Sequence, residues 1–231
     1  MPTRTELDRL LDQLQDMLFQ METLVGEALL RAMASLETRD AALARDVIRS
    51  DDPINLLRYD VEQFCVDMIA TQQPVASDLR AIMGMMHCAV EMERMGDHAA
   101  GVAKVTLTTC SEPLLKPLID LPRMASTAVE MLHEAVNALM NLDQDLARRT
   151  IDRDDEVDAL HNQVFRELIT YMLEDTATIR RATNLIRASH AVERFADRAT
   201  NIAERTLFIS SGRLEDLTSE ASNVPTGAGE V

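Results

Sequence analysis

The chain has 231 residues, 46% of them hydrophobic but only 3% aromatic, with no Trp and seven each of Gly and Pro. Val, Ile and Thr do not gather in alternating runs, so the composition is that of a helical protein packed by Leu, Ala and Met. The formal net charge of −16 excludes sequence-independent nucleic-acid binding and charge-driven docking on an anionic membrane, while permitting multivalent cations.

The first predicted helix spans about 3–37. Thr3 and Glu6 form a capping box, and Leu7, Leu11, Leu14, Leu18, Met21, Val25, Ala28 and Ala32 repeat in steps of three and four. Asp40 caps a following turn that carries Leu43, Val47 and Ile48, interrupted at Asp51-Asp52-Pro53. Pro is tolerated in a first helical turn, so a second long helix runs over about 52–71 through Ile54, Leu57, Val61, Phe64 and Met68. Gln73-Pro74 breaks it. A third helix spans about 75–110 through Leu79, Ile82, Met85, Met86, Met92, Met95, Ala99, Val102 and Ala103. The segment 111–122 holds Pro113, Pro117 and Pro122 and reads as a linker.

The pattern then restarts. Leu121, Met124, Ala128, Met131 and Ala135 follow Leu18, Met21, Val25, Ala28 and Ala32 at a constant offset of 103. Asp143 repeats Asp40, and Asp154-Asp155 repeats Asp51-Asp52. A shorter loop then changes the offset to 100, and seven of the fifteen residues at 93–107 recur at 193–207. The fold class expected is all-α, six long helices as two repeated three-helix bundles, because one half can bury its apolar faces only against its own helices. The halves are 1–112 and 113–212, followed by a polar tail at 213–231 with Gly and Pro, read as disordered.

Cys65, Cys88 and Cys110 are scattered and read as small core residues in a reducing compartment. The polar start and the lack of a run long enough to span a bilayer predict a cytoplasmic protein. No phosphate-cradling glycine loop and no nucleophile with a base partner is present. The methionines at 83, 85 and 86 read as core.

One phrase occurs twice: Glu93-Arg94-Met95-Gly96-Asp97 and Glu193-Arg194-Phe195-Ala196-Asp197. Each places two carboxylates at i and i+4 on one helix face, an arrangement that repels itself by about 0.2–0.5 kcal/mol. On a helical wheel they flank the core stripe, and Gly96 and Ala196 leave room for a neighbouring helix. The second helix of each half carries a companion: Asp154 with Asp158, and Asp51 with Asn55. Antiparallel packing would gather three or four oxygen ligands per half, suited to Mg²⁺, Mn²⁺ or Fe³⁺ and unlike an N/S zinc site. The competing reading pairs Glu93 and Glu193 with arginines such as Arg80 and Arg180. Glu130 and His133 have the spacing of a di-iron carboxylate ligand pair, but once only, which favours a surface pair.

The phrases Gln73-Pro74-Val75-Ala76-Ser77-Asp78-Leu79-Arg80, Glu93-Arg94-Met95-Gly96-Asp97-His98-Ala99 and Glu193-Arg194-Phe195-Ala196-Asp197-Arg198, with Leu43-Ala44-Arg45 and Val47-Ile48, resemble the PhoU family of phosphate-transport accessory proteins. The resemblance covers about 4–212. It implies two three-helix bundles and a regulator, not an enzyme. It implies negative regulation of phosphate uptake and phosphate-regulon signalling, through contact with the transporter's ATPase subunit and a sensor histidine kinase. The wide apolar helix faces suit a homodimer, and the membrane is expected to be reached only through partners. The implied cofactor is metal: iron, mono- or multinuclear, or Mg, Mn or Zn. The implied ligands are Glu93, Asp97, Glu193, Asp197, Asp154, Asp158 and Asp51. Asn55 departs from the motif, and a neutral amide is the weaker ligand, so the second half is expected to bind tighter. A rival from another class is a di-iron carboxylate enzyme on a helical bundle; a structural scaffold without metal is a third.

Overall fold

The computed structural model describes residues 4–211. Thr3, and with it the predicted capping box, lies outside the described residues, as does the tail from 213. The helices are α1 (Arg4–Thr38), α2 (Ala41–Arg49), α3 (Asp51–Gln72), α4 (Ala76–Thr109), α5 (Asp120–Asn141), α6 (Gln144–Asp152), α7 (Asp154–Glu174) and α8 (Ile179–Ser211), with a 3₁₀ turn at Thr176–Thr178. Six are long, as expected. The turns after α1 and α5 are complete short helices, each with a buried alanine, Ala44 or Ala147.

Equivalent residues end and start these elements. α1 and α5 are each followed by a left-handed residue, Arg39 (φ 58°) and Leu142 (φ 51°). Asp40 and Asp143 then cap α2 and α6: Asp40 Oδ1 accepts from the Ala42 and Leu43 amides at 2.8 and 3.0 Å, and Asp143 Oδ1 from the Leu146 amide at 2.9 Å. α3 stops at Gln73, also left-handed, before Pro74. Pro122 lies within the first turn of α5 and not in the linker, which is permitted because that turn's amides have no helical partner.

The predicted stripe of α1 is buried at Leu14, Leu18, Met21, Val25, Ala28 and Ala32. α3 buries Ile54, Val61 and Met68, with Cys65 beside them, while Leu57 and Phe64 are only half-buried. Leu79 and Met83 of α4 are exposed although Ile82 between them is fully buried, so they lie on the outer face of that helix; Met85 is buried and Met86 half-buried. Cys65 and Cys88 are core residues, and burial pushes the Cys65 thiol up to about 12.

Within each half the central helix antiparallels the last. Cys65 of α3 meets Ile82 of α4 while Asp51 meets Gly96. The halves join along a second antiparallel seam between α4 and α8, marked by Gly84 with Ile209, Glu91 with Asn201, and Gly101 with Ala191. α1 crosses α5 where Glu22 meets His133 and Gly26 meets Val129. One hydrophobic core therefore runs through both repeats. The connecting segment is tied down: Lys116, nearly buried, pairs with Glu167 of α7, and Glu112 pairs with Arg180.

Candidate metal centre

Asp51 is the first residue of α3 and Asp154 the first of α7, where the positive end of the helix favours a carboxylate. The antiparallel partner brings the Glu-x-x-x-Asp phrase alongside. In the first half Gly96 allows this approach: a Cβ there would lie 3.1 Å from Asp51 Oδ1 and 3.2 Å from Ile54 Cδ1. In the second half the equivalent is Ala196, also buried.

The carboxylates of each half feel one another. Burial raises the Asp51 carboxyl above its ordinary range, with Asp97 adding to the rise. Burial and Asp97 likewise raise Glu93, while Arg58 pulls it back. In the second half burial pushes Asp154 up to about 7, with contributions from Asp158, Asp197, Glu193 and Asp155. Asp197 is raised by burial, against the pull of Arg194 and Arg198. Two carboxylate oxygens, Asp51 Oδ1 and Glu193 Oε2, are buried without a hydrogen-bond partner.

The grouping expected from the sequence is thus partly realised. Asp51, Glu93 and Asp97 on α3 and α4 repel one another electrostatically, as do Asp154, Asp158, Glu193 and Asp197 on α7 and α8, with Asp97 and Asp158 exposed to solvent. Among the described residues, however, no three His, Cys, Asp or Glu side chains are drawn close enough to hold a metal ion. Carboxylates that share a site repel one another when no countercharge stands between them. Both halves are rich in oxygen acceptors, the ligand type of hard cations, and each holds one buried oxygen with no donor, but neither draws three of them within reach of one ion.

Sequence reasoning missed what several neighbouring residues do. Asn55 donates Nδ2 to Asp51 Oδ2 at 2.8 Å, so it acts as a donor and not merely as a weak ligand. Arg58 and Arg94, and not Arg80, are the cations whose charge draws the Glu93 carboxyl down against its burial. His190 Nδ1 lies 2.9 Å from Glu193 Oε2 but out of hydrogen-bond alignment, and the His161 ring is 6.1 Å from the His190 ring. These two histidines, on α7 and α8, therefore lie near one another at the edge of the second-half group. Their signal was the i,i+3 spacing of His190 and Glu193. Arg180 pairs instead with Glu112.

The Glu130 and His133 pair is divided between different partners. Glu130 accepts from Arg153 at 2.7 Å, and His133 meets Glu22 at 2.8 Å. Another charged residue was also overlooked. Glu91, only 4% exposed, accepts from Arg198 at 3.3 Å and Asn201 at 3.2 Å at the α4–α8 seam.

No described helix is long and apolar enough to cross a membrane. The chain is 39% identical over 204 residues to the phosphate-specific transport system accessory protein PhoU homolog of Aquifex aeolicus, covering 88% of this chain and 92% of that protein. It is 30% identical over 203 residues to Escherichia coli PhoU, covering 88% and 84%. The crystal structure of PhoU from Pseudomonas aeruginosa superposes with a TM-score of 0.84 at 33% identity, covering 89% of this chain and 99% of that one. The phosphate transport system regulatory protein PhoU of Streptococcus pneumoniae gives 0.84 at 28% identity, covering 91% and 100%. The PhoU domain model matches twice, at 18–106 and 121–206, the two halves that carry the paired acidic phrases, and the chain therefore belongs to the PhoU family.

Proposed function

We propose that this protein is a cytoplasmic negative regulator of phosphate uptake and phosphate-regulon signalling. It acts through protein contact, linking the ATPase subunit of a phosphate transporter to a sensor histidine kinase. What supports the reading is that the family match spans both repeats, in relatives named as accessory or regulatory proteins of phosphate transport and not as enzymes. Self-association belongs to the same reading; the exposed Leu56, Tyr59 and Val66 on α3 supply apolar surface for it.

Metal binding is the second element of the proposal. Asp154, Asp158, Glu193 and Asp197 would hold an ion in the second half, and Asp51, Glu93 and Asp97 are the corresponding group in the first. The ion is iron, or Mg, Mn or Zn. When bound it would neutralise the carboxylates and tie the central helix of a half to the last. The chain's own residues supply the frame: helix N-termini hold Asp51 and Asp154, and Gly96 admits the close approach.

The test is deletion of the gene with a phosphate-regulated reporter read in phosphate-rich medium. Derepression is expected. A reporter that stays repressed would overturn the negative-regulator reading.

A further inference from the structure

The α4–α8 seam has two ends, and the duplication makes each a control for the other. At one end the two helices bound an open groove of about 490 Å³, with Met83, Val90 and Phe208 in its walls. At an offset of 100 the twin end carries Thr183, His190 and Thr108 instead. The fold therefore accepts polar side chains at these places, and helix packing does not demand the apolar set. Met83 is 45% exposed, a methionine turned to the surface. Arg80 and Arg205 also line the groove, no carboxylate does, and neither arginine forms an ion pair among the described residues. Two uncompensated cations are unusual in a chain of net charge −16. The twin of Arg80 is Arg180, and it is paired with Glu112 in the segment that leaves α4. His87 Nδ1, in the same groove, is buried without a hydrogen-bond partner among the described residues.

We propose that the chain's own segment Arg213-Leu214-Glu215-Asp216-Leu217, which lies outside the described residues, folds back from α8 and fills this groove, with Leu214 and Leu217 on the apolar walls and Glu215 and Asp216 toward Arg80 and Arg205. Ile209 lines the groove, and the last described residue, Ser211, follows two positions later. Gly212 comes next, a residue suited to the left-handed conformation in which helices end and chains reverse. The stretch of α4 from Met83 to Val90 rises about 10 Å, and four extended residues span about 13 Å, so the segment is long enough to run along it. The tether at Ser211 makes the contact intramolecular, which favours it over any free occupant of equal chemistry. The charges match as well: two carboxylates meet two arginines, as Glu112 meets Arg180 at the twin end. A backbone amide of the segment supplies the donor that neutral His87 Nδ1 lacks. Beyond Leu217 the sequence holds no Leu, Ile, Met or Phe, so the polar reading of the tail holds from 218 onward. This goes beyond the regulatory reading and does not depend on it.

The chain has no Trp, so Leu214→Trp places a single indole fluorophore in the proposed contact and Val224→Trp places one beyond it. In the full chain, Leu214→Trp is expected to emit at shorter wavelength than Val224→Trp and to resist quenching by acrylamide. Adding Met83→Glu, or Arg80→Glu with Arg205→Glu, should move its emission and quenching to those of Val224→Trp. Met83 and Arg80 are exposed, so these changes leave the helices intact, which circular dichroism checks. Equal emission and quenching at the two positions would overturn the proposal and leave the groove to a separate partner. A blue shift that the groove variants do not alter would overturn the groove as the docking place. A blue shift lost on dilution would overturn the intramolecular contact in favour of one between two copies of the chain.

Discussion

The two repeats solve the same backbone problem identically and then part company in chemistry. Both end their first helix on a left-handed residue, Arg39 or Leu142, and start the next on a capping aspartate, Asp40 or Asp143. Both lay a central helix antiparallel on the last and place acidic residues at its first turn. Yet Arg58 faces His161, Asn55 faces Asp158 and Glu91 faces Ala191 when the halves are aligned. Duplication preserved what packing requires and released what charge can vary. The seam between α4 and α8 displays the same split. At one crossing Glu91 is held by Arg198 and Asn201; at the equivalent crossing Ala191 rests 3.8 Å from where a Gly101 Cβ would be. One end of the seam is a buried polar lock, the other a contact of two small residues.

The lock offers the largest effect. Glu91→Ala leaves Arg198 and Asn201 without their acceptor in a water-poor seam, and a loss of about 2–3 kcal/mol is expected, below the full cost of breaking a buried pair because Arg198 retains some solvent contact. The corresponding change at the other crossing, Ala191→Gly, should cost only about 1 kcal/mol, as a helix-interior glycine. Urea denaturation of both variants measures the difference; similar losses would show that the two crossings are equivalent.

Asp154 comes next. Its folded-state carboxyl is raised to about 7 from an ordinary value of 3.8. The native state therefore binds more protons than the unfolded chain between these values, and stability falls as pH rises from about 4 to 7. Asp154→Asn should remove this slope and, in chelator at pH 8, raise stability by about 2 kcal/mol, an allowance for partial solvent screening included. Asp51→Asn should do the same in the first half but less, because Asn55 already donates to Asp51. Chemical denaturation across that pH range checks both.

Two glycines probe the steric side. A Cβ at Gly84 would lie 2.0 Å from Ile209 Cδ1, so Gly84→Ala must turn that side chain, and a net loss of about 1 kcal/mol is expected after the gain in helix propensity. The other repeat carries a nearly buried Asn184 at this place, so the constraint belongs to one half. Gly96→Ala needs shifts of only tenths of an ångström in Asp51 and Ile54, and its change in thermal stability should stay within about 1 kcal/mol. A large loss there would mean that the two halves differ in helix spacing as well as in charge.

Much was legible in the chain without coordinates. The three long helices of the first half fall within a residue or two of the bounds read from apolar spacing, because a 3.6-residue period and strong stops such as Gln73-Pro74 are local properties. The duplication predicted the architecture. The placing of Glu93, Asp97, Glu193 and Asp197 beside the core stripe, not within it, also followed from the wheel. Arg58 and Glu91 act on partners distant in sequence, whereas Asn55 with Asp51 and His190 with Glu193 are local spacings whose side-chain geometry no pattern specifies.

What the sequence by itself determined is which face of each helix is apolar, where each helix stops, and that the acidic pairs occur in two equivalent places. What only the tertiary structure decided is which helix each remaining polar side chain meets and at what height. Glu91 lies on a core-facing stretch and, read alone, is a misplaced charge; the antiparallel register of α4 on α8 delivers Arg198 and Asn201 to it. Arg58 of α3 owes its pull on Glu93 of α4 to how the two helices sit in the bundle, whereas His190 reaches Glu193 within α8 itself. The physical reason is that helical periodicity specifies rotation about an axis. The axial register between two helices is set by the summed packing of both surfaces, and no local pattern encodes it.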